Sequence, residues 1–121
     1  MKEILRGDIW FVDLEPIRGS EQGGIRPCIV LQNDMGNRHS PTVIVAPITS
    51  RKKKTLLTHV FIETDALPYQ SVVLLEQIRT VDKIRFLNYS GRISAAQMRV
   101  VERAINASLG MDYLEGLPHE K

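Results

Sequence analysis

The feature that most constrains this chain is a series of short β-rich segments, separated by turn residues and followed by a single helical segment. Strands are predicted at residues 9–14, 26–32, 43–48, 59–62, 71–75 (continuing towards 77 and 79) and 89–93. Residues 33–37 have the composition of a turn, and the third segment is apolar enough for burial on both faces. Strands this short and this closely spaced are typical of a small barrel rather than of a parallel α/β sheet.

One helix is predicted after the last strand. Ser94 and Gln97 have the spacing of a capping box, in which each side chain bonds the other residue's backbone N–H. Gly110 is well placed to end the helix. Apolar residues recur at steps of three and four, and they predict one buried face: Met98, Val101, Ile105 and Leu109.

The chain of 121 residues, 43% hydrophobic and 25% charged, suits one globular domain. We expect that domain to span 1–113, with 114–121 as a frayed tail. The lone cysteine, Cys28, lies in an apolar run, which favours a small buried hydrophobe over a nucleophile. The apolar stretches are too short to span a bilayer and no leader-like segment opens the sequence, so we expect a cytoplasmic protein that does not contact membranes.

Charge is concentrated in one block. Arg51, Lys52, Lys53 and Lys54 are consecutive, and no acidic residue follows until Glu63. Such a block favours contact with a polyanion, although a solvated, self-repelling loop explains it equally well. The formal net charge of only +2 does not decide between the two interpretations.

Local motifs exclude several classes of site. The histidines, His39, His59 and His119, are scattered without ligand spacing, so no metal site is predicted. No glycine-rich loop leads into a helix as in nucleotide-binding proteins, and no Gly-x-Ser-x-Gly elbow is present. We expect neither a metal ion nor an organic cofactor.

Three ordered segments carry a resemblance to a known family. They are RGDIW at 6–10 with DL at 13–14, GSEQGGIRP at 19–27, and LEQIRTVDK at 75–83, supported by QND at 32–34 and IT at 48–49. Together they resemble the MazF/PemK (Kid) endoribonuclease toxins over roughly residues 6 to 110. The resemblance implies an SH3-like barrel with a C-terminal α-helix, a homodimer, cleavage of single-stranded RNA and inhibition by a cognate antitoxin.

The same resemblance assigns site residues. Arg26 and Thr49 match the catalytic arginine and threonine of the family. Other matched positions border or line its RNA groove: Ser20, Glu21, Leu57, His59 and Gln77. Leu57 falls in 50–57, where the chain departs most from the family pattern.

The implied chemistry is self-consistent. The 2′-hydroxyl of RNA can attack its own phosphodiester, which yields a 2′,3′-cyclic phosphate and a 5′-hydroxyl without a metal ion. An arginine can bind two oxygens of the charged phosphorane, and a threonine hydroxyl can donate to a third. The general base stays open among Glu21, Glu76 and His59, because a neutral arginine is very scarce.

Two alternatives come from other classes. The gyrase-poisoning CcdB toxins share this type of barrel without being nucleases, and a fold alone does not define a function. Those toxins resemble binders that use a C-terminal tryptophan, whereas the only tryptophan here is Trp10. The second alternative is an RNA-binding module without catalysis. Incubation with RNA in excess EDTA distinguishes all three.

Overall fold

A computed structural model describes residues 2–50 and 56–111 of the chain. The predicted domain limit at 113, the tail 114–121 and the basic block at 51–54 lie outside the described residues. Within these two ranges the chain forms seven strands: β1 (Asp8–Asp13), β2 (Ile25–Val30), β3 (Thr42–Ser50), β4 (His59–Ile62), β5 (Ser71–Leu74), β6 (Arg79–Asp82) and β7 (Phe86–Arg92). Two helices join them, α1 (Asp34–His39) and α2 (Ala95–Leu109), with short 3₁₀ turns at Leu75–Gln77 and Lys83–Arg85.

The strands form one antiparallel sheet in the order β4-β5-β3-β2-β1-β7. The long strand β3 organises it, because its first half pairs with β6 and its second half with β5, while β2 lies along its other side. The predicted class, a mainly β, barrel-like fold with a C-terminal α-helix, is confirmed.

The sheet has a buried cluster on each face. In β1 and β2, Ile9 and Ile29 join a cluster that includes Val101 of α2, whereas Trp10 and Cys28 belong to the opposite cluster. This alternation follows from the two-residue period of a strand. Burial of 43–48 is confirmed apart from Ile44, which is 36% exposed.

Two predictions are wrong, one about a turn and one about the length of a strand. Residues 33–37 do not form a simple turn, because Asn33 accepts the Gly36 N–H and caps helix α1. Within α1, the side chain of the buried Asn37 accepts a hydrogen bond from the Gln32 side chain and donates one to the Gln32 carbonyl. These tertiary bonds stabilise the helical conformation of an otherwise polar segment. The strand at 71–75 also does not continue to Arg79, since the 3₁₀ turn separates β5 from β6.

Helix α2 begins at the predicted capping box, in which Ser94 and Gln97 bond each other's backbone N–H. It ends at Gly110, which has φ of 72°. Met98 and Val101 are buried as predicted and Ile105 is half-buried, but Leu109 is 60% exposed. In that last turn Ser108 is the residue that bonds the rest of the domain, and its hydroxyl donates to the carbonyl of Leu75 in the 3₁₀ turn at 2.7 Å.

Cys28 is fully buried, as predicted. Burial raises the pKa of its thiol from 9.0 to about 12, although the charges of Arg79 and Arg26 act in the opposite direction. Such a thiol is not a nucleophile at neutral pH. In the described ranges, no helix has the length and apolarity needed to cross a membrane.

Candidate functional site

Strands β2 and β3 bring Arg26 and Thr49 together. In the antiparallel register Cys28 lies opposite Pro47, so Arg26, two residues before Cys28, and Thr49, two residues after Pro47, fall at matching positions. Arg26 Nη1 lies 3.5 Å from Thr49 Oγ1, and Thr49 is only 9% exposed. Two residues that are 23 positions apart in the chain thus form one pair.

The guanidinium of Arg26 is held from the other side by the glycine-rich loop. Its Nε donates a hydrogen bond of 2.8 Å to the carbonyl of Gly23. With Nε and Nη1 engaged, the Nη2 amino group has no hydrogen-bond partner among the described residues. The hydroxyl oxygen of Thr49 accepts from Arg26, which leaves the hydroxyl hydrogen available to another acceptor.

A cleft of about 450 Å³ lies beside the glycine-rich loop, and its lining includes neither Arg26 nor Thr49. Its walls come from the glycine-rich loop, from β3 and from the segment around the 3₁₀ turn before β6. They are formed by Ser20, Glu21, Gln22, Pro47, Glu76, Gln77, Ile78 and Arg79. Three residues expected at the site from sequence, Ser20, Glu21 and Gln77, therefore share one cleft.

Two of these side chains also fix the loop. The Gln77 side-chain oxygen accepts the backbone N–H of Gln22 at 2.8 Å, across 55 residues of sequence. Glu21 Oε1 accepts the backbone N–H of Arg18 at 2.6 Å. Gln77 therefore positions the loop as well as lining the cleft.

His59 lies against Glu76 and is not part of the cleft wall. Its Nε2 is 3.0 Å from Glu76 Oε2, and its Nδ1 accepts the Leu56 N–H at 3.1 Å. The hydrogen is therefore assigned to Nε2. The imidazole is only 6% exposed, whereas the neighbouring Leu57 is 90% exposed on the turn before β4.

Glu76 is the charged member of this group. Burial raises its pKa, but hydrogen bonds from His59, from its own backbone and from Thr58 outweigh that effect, so the pKa lies below 4.5. Glu76 is therefore a carboxylate at neutral pH and a weak base. Neither ring nitrogen of His59 is free to take a proton from a substrate.

Sequence reasoning assigned no role to Arg79. Its side chain lines the cleft, and its Nη1 donates to the carbonyl of Leu14 at 3.2 Å. Burial raises the pKa of the Cys28 thiol, and the charges of Arg79 and Arg26 both act on the same thiol in the opposite direction. The available signal was its position within the LEQIRTVDK segment, where a cation precedes a short strand.

The basic block Arg51, Lys52, Lys53 and Lys54 lies outside the described residues. Over the ranges 2–50 and 56–111, no group of three or more His, Cys, Asp or Glu side chains could hold a metal ion. Fold and site together define a small, mainly β, barrel-like protein with an arginine–threonine pair between β2 and β3 and a second arginine in a cleft beside the glycine-rich loop. Arginine side chains suit phosphate oxygens, because the planar guanidinium can bind two of them at once.

Comparison with known protein families identifies the family of this chain. Residues 5–109 match the family described as PemK-like, MazF-like toxin of type II toxin-antitoxin system. The chain belongs to this family, which confirms the resemblance found in its motifs.

Individual relatives agree with this assignment. The chain is 52% identical over 109 residues to Endoribonuclease MazF of Staphylococcus saprophyticus, covering 88% of this chain and 91% of that protein. A crystal structure of MazF from Deinococcus radiodurans has a TM-score of 0.81 and 27% identity, covering 92% of this chain and all of that one. A mycobacterial endoribonuclease solved in complex with its cognate antitoxin has a TM-score of 0.76 and 26% identity, with 89% and 96% coverage. The protein is an endoribonuclease toxin.

Proposed function

We propose that this endoribonuclease cuts single-stranded messenger RNA at the Arg26–Thr49 pair, by attack of the substrate's own 2′-hydroxyl and without a metal ion. The products are a 2′,3′-cyclic phosphate and a 5′-hydroxyl. The observation that carries the proposal is the guanidinium of Arg26, held between Gly23 and Thr49 with Nη2 left to a ligand. The cell would stop growing when this activity is released.

Each member of the pair has a defined role. Arg26 stabilises the extra negative charge of the phosphorane and can protonate the leaving 5′-oxygen. Thr49 donates its hydroxyl hydrogen to a non-bridging oxygen. Loss of one such donor typically slows a reaction about a hundredfold or more.

Of the three candidates for the general base, we propose Glu21. His59 and Glu76 are bonded to each other, and Glu76 has a lowered pKa that makes it a poor proton acceptor. Glu21 borders the cleft, is exposed, and uses only Oε1 in its bond to Arg18. Its second oxygen can accept the proton of the 2′-hydroxyl.

The first experiment tests Arg26. We expect Arg26→Ala to lose most cleavage of an RNA oligonucleotide while keeping a cooperative thermal transition, and Arg26→Lys to restore only part of the rate. Arg99→Ala is the matched control, since this exposed arginine on α2 lies outside the cleft. Cleavage by Arg26→Ala at the wild-type rate contradicts the assignment.

The second experiment tests the nucleophile. Replacing the single 2′-hydroxyl at the cleaved position by hydrogen should abolish cutting, whereas excess EDTA should leave the rate unchanged. Cleavage of the substituted strand, or products that carry a 5′-phosphate, would require another mechanism. Binding without any cleavage of the all-ribose strand identifies a non-catalytic RNA-binding module.

We further propose that the enzyme reads a short sequence. Proteins that recognise single-stranded RNA usually splay the bases and bond their edges, which suits Ser20 and Gln77 in the cleft. We assign Leu57 to contacts with a flanking base, and we propose that the almost buried His59 takes part in RNA binding through Glu76, which it holds at the cleft wall. Because His59 already bonds Glu76, its substitution should change the preferred sequence through Glu76.

The basic block is assigned to affinity. Arg51, Lys52, Lys53 and Lys54 can neutralise phosphates, but they cannot distinguish bases. Changing all four to glutamine should weaken RNA binding and flatten its dependence on salt, while the cleavage motif stays the same. An altered motif with an unchanged salt slope reverses this assignment.

We also propose that the active form is a homodimer. A small barrel offers a limited groove, and a twofold axis joins two grooves into a longer surface for one RNA strand. Sedimentation at micromolar concentration should give the mass of a dimer. A monomer at every concentration tested contradicts this proposal.

The last part of the proposal concerns inhibition by a cognate antitoxin. The mycobacterial relative was solved with its antitoxin, and an acidic segment that folds on binding would complement Arg26 and Arg79. An acidic antitoxin peptide should compete with a non-cleavable RNA analogue for the cleft. An antitoxin that binds without displacing RNA argues for separate surfaces.

A further inference from the structure

One peptide group connects two charged side chains next to the site. The carbonyl of Gly23 accepts Arg26 Nε at 2.8 Å. The N–H of Gly24, which belongs to the same peptide group, donates to Glu15 Oε2 at 2.6 Å. Glu15 therefore acts on Arg26 through a single peptide unit, without being part of the cleft wall itself.

Glycine is needed at both positions of the Gly23–Gly24 pair. A Cβ atom at Gly23 would lie 2.5 Å from Glu15 Oε2 and 2.8 Å from Ile17 Cδ1. Gly24 has φ of 76°, in the left-handed region that favours glycine. The loop thus allows a carboxylate to approach the peptide more closely than a side chain at Gly23 would permit.

The backbone at Glu15 is fixed independently of its side chain. Arg85 Nη1 donates to the carbonyl of Asp13 at 3.1 Å and also to the carbonyl of Glu15. The Leu14 N–H, in turn, donates to the Gly24 carbonyl at 3.0 Å. Truncating the Glu15 side chain would therefore leave the strand end in place and remove only the contact with the peptide.

We infer that Glu15 is a positioning residue for Arg26. A carboxylate on the N–H side of a peptide polarises it, so the carbonyl on the other side becomes a stronger acceptor. That carbonyl sets the direction of the Arg26 guanidinium and keeps Nη1 turned towards Thr49. The inference rests on the proposed function, because it gives Glu15 a role only if Arg26 acts in cleavage.

The experiment is a double-mutant cycle in RNA cleavage. We expect Glu15→Ala to lower kcat about tenfold with little change in KM. A misoriented Arg26 guanidinium should slow the chemical step more than it weakens substrate binding. Glu15→Gln should recover much of that loss, because an amide oxygen can still accept the Gly24 N–H. In the Arg26→Ala background, Glu15→Ala should have no further effect. Glu3→Ala, a surface carboxylate paired with Arg38, is the matched control.

A second measurement does not use activity. The Nε–H resonance of Arg26 in an NMR spectrum should shift and exchange faster with solvent in Glu15→Ala than in the wild type. An unshifted resonance, or equal losses of rate from Glu15→Ala with and without Arg26, overturns the inference. Failure of the proposed function is a separate result, namely an Arg26→Ala enzyme that cuts RNA at the wild-type rate.

Discussion

Alkylation of Cys28 offers a quantitative test of the core beneath the site. The thiol is fully buried in β2, and its pKa is about 12 rather than 9.0 because burial disfavours the thiolate. Iodoacetamide reacts with the thiolate only. At pH 8 the thiolate fraction is about one in ten thousand in the folded protein and about one in ten in the unfolded chain, from the two pKa values.

Labelling of the folded protein should therefore be about a thousandfold slower than labelling in concentrated urea, before limited access is considered. Mass spectrometry of samples quenched over time at pH 8 gives both rates. The folded-state rate should keep rising tenfold per pH unit beyond pH 9, where the unfolded chain reaches its plateau. Similar rates in the two states would refute the burial argument.

The same shift has a consequence for stability. Because the folded pKa of Cys28 is raised, its contribution to stability is fully present below pH 9 and is lost progressively as the pH rises towards 12. Cys28→Ala should flatten this alkaline decline and should leave RNA cleavage unchanged. Loss of cleavage in this variant would revive the thiol as a nucleophile.

Three further predictions concern stability, and Trp10 fluorescence during unfolding measures each of them. Ser94→Ala removes the side-chain acceptor of the capping box and should cost about 1 kcal/mol; an unchanged free energy of unfolding would contradict the cap's role. The pKa of Glu76 is lowered, so its stabilisation is present above pH 4.5 and is lost at lower pH, and Glu76→Gln should make stability less dependent on pH in that range. Equal pH slopes for variant and wild type would argue against this. Gly91→Ala places a Cβ 2.6 Å from that of Ala66 and should cost about 1–3 kcal/mol, and adding Ala66→Gly should restore only the part due to this clash, because φ of 158° at residue 91 disfavours a side chain.

The long helix and the described strands other than β6 could be predicted from the sequence because their signals are local. The β-rich composition of β1 and the capping-box spacing of Ser94 and Gln97 are signals within a few residues, and the structure contains both elements. The family resemblance added Arg26 and Thr49 as a pair from separate motifs. The family resemblance itself was confirmed by sequence matches, which do not depend on how the strands pair.

Tertiary structure decided what depends on strand register and on contacts between distant segments. Leu109 fits the helical period but is exposed, because in the last turn of α2 Ser108 rather than Leu109 contacts the 3₁₀ turn, at Leu75. Arg79 became part of the cleft only through the pairing of β6 with β3 and its bond to Leu14.

The link from Glu15 to Arg26 shows the same limit most clearly. Glu15 follows a strand in an ordinary polar loop, and nothing in its neighbours indicates a contact with Gly24. That contact exists because the loop folds back and brings the backbone of Gly23 and Gly24 onto the carboxylate. Local sequence specifies the dihedral preferences of such a loop, but only the packed sheet determines which side chain its exposed N–H groups will meet.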